Sequence, residues 1–182
     1  VDEYLQTTAK DISAAGDCCE GIDLSTGKPD MLAIQPVAVE HGRIAALNMA
    51  GRKHRHRGSL NMNVLDTMGL ISSSFGLWQG AQVGETGKLI DERAFKYMKL
   101  EFEGDKLVGA QCVGMTDHVG MLRGLIQTGF HMGEWKDKLL AAPERLREAY
   151  VSVSQRAPTT GPTAPHVKTP VVEVSHAGAS GH

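Results

Sequence analysis

The run Thr8-Ala9-Lys10-Asp11-Ile12-Ser13-Ala14-Ala15-Gly16-Asp17 ends in the residue pair of this chain best suited to meeting a ligand. A short apolar segment leads into Gly-Asp. Gly16 lets the backbone approach a bound group closely, and Asp17 sets a carboxylate at the mouth of a sheet. Standing alone, Asp17 reads better as a helix-cap or turn carboxylate. What raises it to a candidate site is its neighbourhood, above all the helix that begins near Pro36. A G-x-G-x-x-G strand-turn-helix loop does not occur in the 182 residues, so Asp17 by itself cannot hold a dinucleotide.

The other reactive residue types are scattered. Cys18 and Cys19 are adjacent and Cys112 is far away, with no Cys-x-x-Cys. That spacing offers neither a thioredoxin-like pair nor a Cys-rich metal or iron–sulfur site, and a bridge between neighbours would be strained. Cys18 follows Asp17 closely, but packing explains it better than nucleophilic catalysis. His41 falls within a helix and reads as a surface or satisfied histidine, while His118 begins or caps another helix. His131, Glu134 and Asp137 cluster around a helix start without a metal-ligand spacing. His166, His176 and His182 lie in a polar tail, where metal affinity would be incidental. The run Arg52-Lys53-His54-Arg55-His56-Arg57 reads as a solvated connector. A formal charge of −2 excludes a surface basic throughout, hence no nucleic-acid partner is expected. No signal-peptide pattern and no apolar run of about 20 residues occurs, so the expectation is a soluble cytoplasmic protein with reduced cysteines.

The elements that must position Gly16 and Asp17 follow from periodicity. Residues 1–16 read as an extended lead-in and a short strand, and Glu20–Asp30 as a turn-rich link. Leu32–Gly51 reads as a helix with Pro36 in its first turn, Val37, Ile44 and Leu47 on an apolar side, and Gly51 as its stop. One strand and one helix cannot bury both faces, so this unit needs neighbours. From Ser59 the pattern turns to β: Leu60–Asp66 and Leu70–Ser74 about a Met68-Gly69 turn, a Gly-rich loop over 76–87, then Ala94–Phe102 and Leu107–Gly114 about Glu103-Gly104-Asp105-Lys106. His118–Thr128 reads as a helix ended by Gly129, and a second helix starts at Glu134 and is ended or redirected at Pro143. After about Val153 the composition turns to Pro, Thr, Gly, Ser and His, which reads as an extended or disordered tail.

These segments resemble the pyridine nucleotide-disulfide oxidoreductases that use FAD and NAD(P). The stretch Ile12–Asp17 is similar to the second flavin motif of that family. Pro36, Ala38, Gly42, Arg43, Ala45, Asn48, Met49, Ala50 and Gly51 match its helix motif, with His41 where Gln is usual. Tyr97–Phe102, Gly104-Asp105, Leu107–Ala110, Val113-Gly114 and Leu122–Ile126 resemble its carboxy-terminal interface domain, especially in class III members such as nitrite reductase large subunits and rubredoxin reductases. The resemblance spans residues 1–145 or so.

It implies an α+β chain: the carboxy-terminal fragment of an FAD-binding α/β domain (1–57), an antiparallel-sheet and helix interface domain (58–152), and a flexible tail (153–182). It implies FAD in the complete enzyme, bound through Gly16 and Asp17 and through backbone at Ile34, Gln35, Pro36 and Val37, with NAD(P)H bound upstream. FAD retention by this chain alone is not expected, and neither a catalytic side chain nor a metal ligand is assigned. The chain opens on Val1 in the middle of this architecture, so a preceding portion or a companion chain is the expected partner, with a homodimer a further way of pairing. Function is then that of part of an NAD(P)H oxidoreductase passing hydride to flavin and electrons onward. The alternative is a non-catalytic interface or oligomerisation module for a flavoprotein partner.

Overall fold

The computed structural model describes residues 1–156. Its amino-terminal lead-in is held by turns rather than by a sheet. The short strand expected before Gly16 is a single antiparallel bridge, Gln6 to Ser13, because no neighbouring strand among the described residues accepts its ladder. Leu5 is fully buried against Ile44 and Ala45, which anchors the segment. A short 3₁₀ turn, Gly16–Cys18, follows. A two-stranded ribbon, β1 (Gly21–Ile22) and β2 (Pro29–Asp30), then leads into helix α1 (Gln35–Met49). The helix starts at Gln35, with Pro36 in its first turn, since Ile34 is still extended at φ −138° and ψ 145°.

Five strands form one antiparallel sheet. They are β3 (Met62–Thr67), β4 (Leu70–Gly76), β5 (Glu85–Asp91), β6 (Lys96–Glu103) and β7 (Lys106–Val113), in spatial order β3-β4-β7-β6-β5. One face carries Met98, Leu100 and Phe102 at alternate positions of β6 beside Leu107, Ala110 and Cys112 of β7. A bulge at Glu101/Phe102 sets Phe102 opposite Leu107. Helices α2 (Val119–Thr128), α3 (Glu134–Ala141) and α4 (Leu146–Arg156) cover that face through Leu122, Leu125, Leu139, Leu146, Ala149 and Val153. The fold is α+β, an antiparallel sheet under helices preceded by the turn, ribbon and α1.

Three sequence expectations need correction. Part of the expected loop 76–87 is the start of β5, and Gly87 is a strand residue: a Cβ there would come within 2.7 Å of the Leu139 carbonyl oxygen, so glycine permits α3 to lie on the sheet. Residues 153–156, expected in the tail, complete α4, a helix the periodicity did not separate from the Pro143 region. Val153 is buried in the core and pins that last turn. The remainder of the expected tail, 157–182, lies outside the described residues. In the basic connector, Arg52–Arg55 and Arg57 are exposed as expected, yet His56 is buried. No helix of the described residues is long and apolar enough to cross a membrane.

Gly109 marks a tight approach. A Cβ there would lie 2.5 Å from both the carbonyl carbon and the oxygen of Leu77. Backbone cannot yield as a side chain can, so Gly109→Ala is expected to cost about 1–3 kcal/mol by overpacking. A urea midpoint equal to that of the unaltered chain would remove this account of the loop.

Candidate functional site

The structure seats the Gly16–Cys18 turn against α1. Gly16 is buried at φ +78°, and a Cβ on it would stand 3.1 Å from the Ala38 Cβ. Only glycine combines the left-handed backbone with that contact at low cost. Asp17, next in line, is exposed. Ile34 is the half-buried residue before α1, Gln35 and Pro36 are exposed in its first turn, and Val37 is buried beneath them.

The amino end of α1 carries no side-chain cap and no acidic residue in its first turn. Its amides are unequally available. Ile34 N–H donates to the Leu32 carbonyl at 2.8 Å, Val37 N–H donates to the Ile34 carbonyl at 3.1 Å, and Pro36 has no amide hydrogen. The Gln35 amide has no hydrogen-bond partner among the described residues. Of the backbone named from the sequence, Gln35 therefore holds the free donor at the positive end of the helix dipole. A small cleft of about 10 Å³ beside it brings Ile34, Pro36 and Val37 to face Arg123 and Gln127 of α2. A larger depression of about 240 Å³, lined by Ser25, Lys106 and Thr128, shares Gln127 with that cleft.

Beneath the turn lies a polar cluster that sequence reasoning missed. His41 is 1% exposed and His56 4%, and their rings meet edge to face with centroids 4.6 Å apart. Gly16 N–H donates to His41 Nδ1 at 3.4 Å, and the Cys19 thiol lies 3.8 Å from the same nitrogen. Ser59 donates its hydroxyl to Glu40 Oε2 at 3.2 Å, so its oxygen accepts from His56 Nε2 at 3.0 Å. Gly21 makes room for the His41 ring, since a Cβ there would come within 2.7 Å of His41 Cε1. Burial, followed by the neighbouring His56, holds His41 below the ordinary histidine range, and burial also lowers His56. The Cys19 thiol is pushed up, by burial and then by Cys18.

This cluster is held by the surrounding chain. Asn48 Nδ2 donates to the carbonyls of Tyr4 and His54, both at 2.9 Å, while its Oδ1 accepts from His54 N–H at 2.7 Å. Ser59 N–H donates to the Ile22 carbonyl at 2.8 Å, tying the connector alongside β1. The sequence signal was present as His41 within an apolar helix and His56 inside a basic run. Nothing in either pattern showed that the two face each other.

The remaining candidates are separate from this place. His131 pairs with Asp105 at 3.4 Å, whereas Glu134 pairs with Lys138 and Arg156. Cys112 is buried in the core between the sheet and its helices, its thiol pushed up to about 12 by burial.

No family model matches the chain. It is 32% identical over 159 residues to the NADH-dependent phenylglyoxylate dehydrogenase subunit epsilon of Aromatoleum evansii, covering 86% of this chain and 38% of that protein. It is 31% identical over 128 residues to the NADH oxidase of Methanocaldococcus jannaschii, covering 63% of this chain and 29% of that protein. The chain thus spans well under half the length of these relatives. In fold it is similar to an FAD-dependent pyridine nucleotide-disulphide oxidoreductase from Desulfovibrio vulgaris, with a TM-score of 0.64, 17% identity, and coverage of 85% of this chain and 41% of that one. Shared sequence and shared architecture together make this chain a relative of the pyridine nucleotide-disulfide oxidoreductases, matching part of their length in a way that fits their carboxy-terminal region.

Proposed function

We propose that residues 1–57 complete an FAD-binding domain and residues 58–152 form the adjoining interface domain of an NAD(P)H-dependent flavoprotein oxidoreductase. The observation that carries this reading is the Gly16–Cys18 turn seated on α1, with Asp17 exposed beside an uncapped helix end. These residues suit a flavin nucleotide. An exposed carboxylate accepts hydrogen bonds from a polyol chain, and the free Gln35 amide with the helix dipole favours negative charge on a ring placed before it. FAD, when bound, supplies the redox chemistry between a reduced nicotinamide and an electron acceptor. The chain's own part is to hold and orient: Asp17 anchors, Gln35 donates, and Pro36 and Val37 give the first turn of α1 a fixed, partly apolar wall.

Loss of one charge-assisted hydrogen bond costs about 1.5–3 kcal/mol, or about 10- to 150-fold in affinity. Asp17→Ala in the complete protein is therefore expected to weaken FAD retention by that factor, read from the flavin absorption bands after dialysis. Unchanged retention would sink the reading.

A second reading draws on β3 and β4. Val64 is 51% exposed, Leu65 56% and Met68 94%, so both faces of this ribbon offer apolar surface. An interface or oligomerisation module would use it. A folded chain that stays colourless with added FAD, both alone and with its upstream partner, would favour this alternative.

A further inference from the structure

We propose that His41 is the positioning residue of the Gly16–Asp17 turn: its unprotonated Nδ1 holds the Gly16 amide against α1, so that proton uptake by the ring releases the turn. For its functional meaning this rests on the flavin-site reading above, while the coupling itself is a property of this chain.

The geometry fixes the tautomer. Nδ1 accepts from the Gly16 N–H at 3.4 Å, while the Cys19 thiol, 3.8 Å from the same nitrogen, donates to the Gly16 carbonyl. The ring proton therefore sits on Nε2, which is buried without a partner among the described residues. A second proton would have to go on Nδ1 and point at the Gly16 amide hydrogen. The hydrogen bond becomes a repulsion between donors, inside a site too dry to screen it. The ring is hemmed in, buried with His56 meeting it edge to face in the space that Gly21 leaves for it. That leaves the 3₁₀ turn to move, which packs on α1 where Gly16, lacking a side chain, comes close to Ala38.

The charged and titratable groups around His41 come from every side. Glu40 on α1 favours the protonated ring, while His56 from the connector and the Val1 amino group oppose it. Cys19 and exposed Asp17 belong to the turn region itself. Glu40 is committed to Ser59, and through it to His56. His41 thus lacks a carboxylate of its own to accept a proton bond. With its folded value below the ordinary 6.5, the turn is fully held above that pH and is released as pH falls through the folded value.

The test is amide and imidazole NMR on the full chain between about pH 8 and about pH 5. At the upper end His41 is expected to show an unprotonated Nδ1, and the Gly16 amide and the His41 ring are expected to shift with one midpoint below 6.5. His41→Gln keeps an acceptor that does not titrate, so the Gly16 transition is expected to vanish. His56→Gln should keep the transition and move it up in pH. A protonated Nδ1 at the upper end, a Gly16 amide indifferent to pH, or a transition persisting in His41→Gln would overturn the proposal. The titration of the unaltered chain decides even where a variant fails to fold. Joint titration with FAD retention indifferent to Asp17→Ala would keep the coupling and remove the flavin reading, so the two failures are distinguishable.

Discussion

Phe102→Ala is expected to lower the unfolding free energy by about 3–5 kcal/mol, a large part of the roughly 5–15 kcal/mol that holds a domain together. Phe102 has no exposed surface and belongs to the core between the sheet and its helices. Removing the ring leaves a void that β6, fixed by ladders to both β5 and β7, cannot close. Ile90, 64% exposed on β5, is the control: Ile90→Ala should change stability by less than about 0.5 kcal/mol. Urea midpoints at constant slope read both. A loss below about 1 kcal/mol for Phe102→Ala would mean that this face of the sheet is not packed as described. The effect should reach the candidate site, because the cluster around α1 holds only Leu5, Ile44 and Ala45 with Ala15 alongside. That is little burial against the entropy of ordering so long a segment. The Cys19 thiol is therefore expected to become reactive at the same urea concentration that unfolds the sheet.

Helices and strands were legible where one residue pattern carried one role. Alternation gave β6 and β7 with their Gly104-Asp105 turn, and the spacing of Val119, Leu122, Leu125 and Ile126 gave α2 up to Gly129. Legibility failed where a residue type had two meanings. Gly87 looked like loop because glycine usually is, whereas here it lets a helix backbone lie on a strand. Pro143 reads as either an end or a redirection of the Glu134 helix, and it opens a 3₁₀ turn that feeds α4. At the site, the motif-like run Gly16-Asp17 and the Pro36 helix were readable, because local backbone demands select those residues. The pairing of His41 with His56 was not, for it depends on the connector folding back along β1. The run Arg52–Arg57 reads as surface by its charge, and the burial of His56 against His41 and Ser59 shows that one of its members points inward.

Gly16→Val tests whether the turn and α1 act as one wall. A branched residue at φ +78° takes on the left-handed penalty of about 1–2 kcal/mol, and its Cβ meets the Ala38 Cβ at 3.1 Å. Overpacking adds about 1–3 kcal/mol, so the attached state is expected to lose about 2–5 kcal/mol in all. The core between the sheet and its helices contains neither residue, and the urea transition of the sheet is expected to stay in place. What changes is access to the turn. Cys18 is exposed, Cys19 half-buried and Cys112 buried, so thiol labelling of the unaltered chain should show one fast, one slow and one protected cysteine. In Gly16→Val the slow thiol should join the fast one. Two causes act in the same direction: the shield is removed, and the burial that pushes the Cys19 thiol above its ordinary 9.0 is relieved, raising its thiolate fraction. Gly16→Ala combined with Ala38→Gly separates the two costs, since the pair removes the Cβ contact and leaves the backbone penalty. Slow Cys19 labelling restored in the double variant assigns the wall to the contact with α1; labelling that stays fast assigns it to the left-handed backbone of the turn; a Gly16→Val chain that labels like the unaltered one would mean that the turn is held elsewhere.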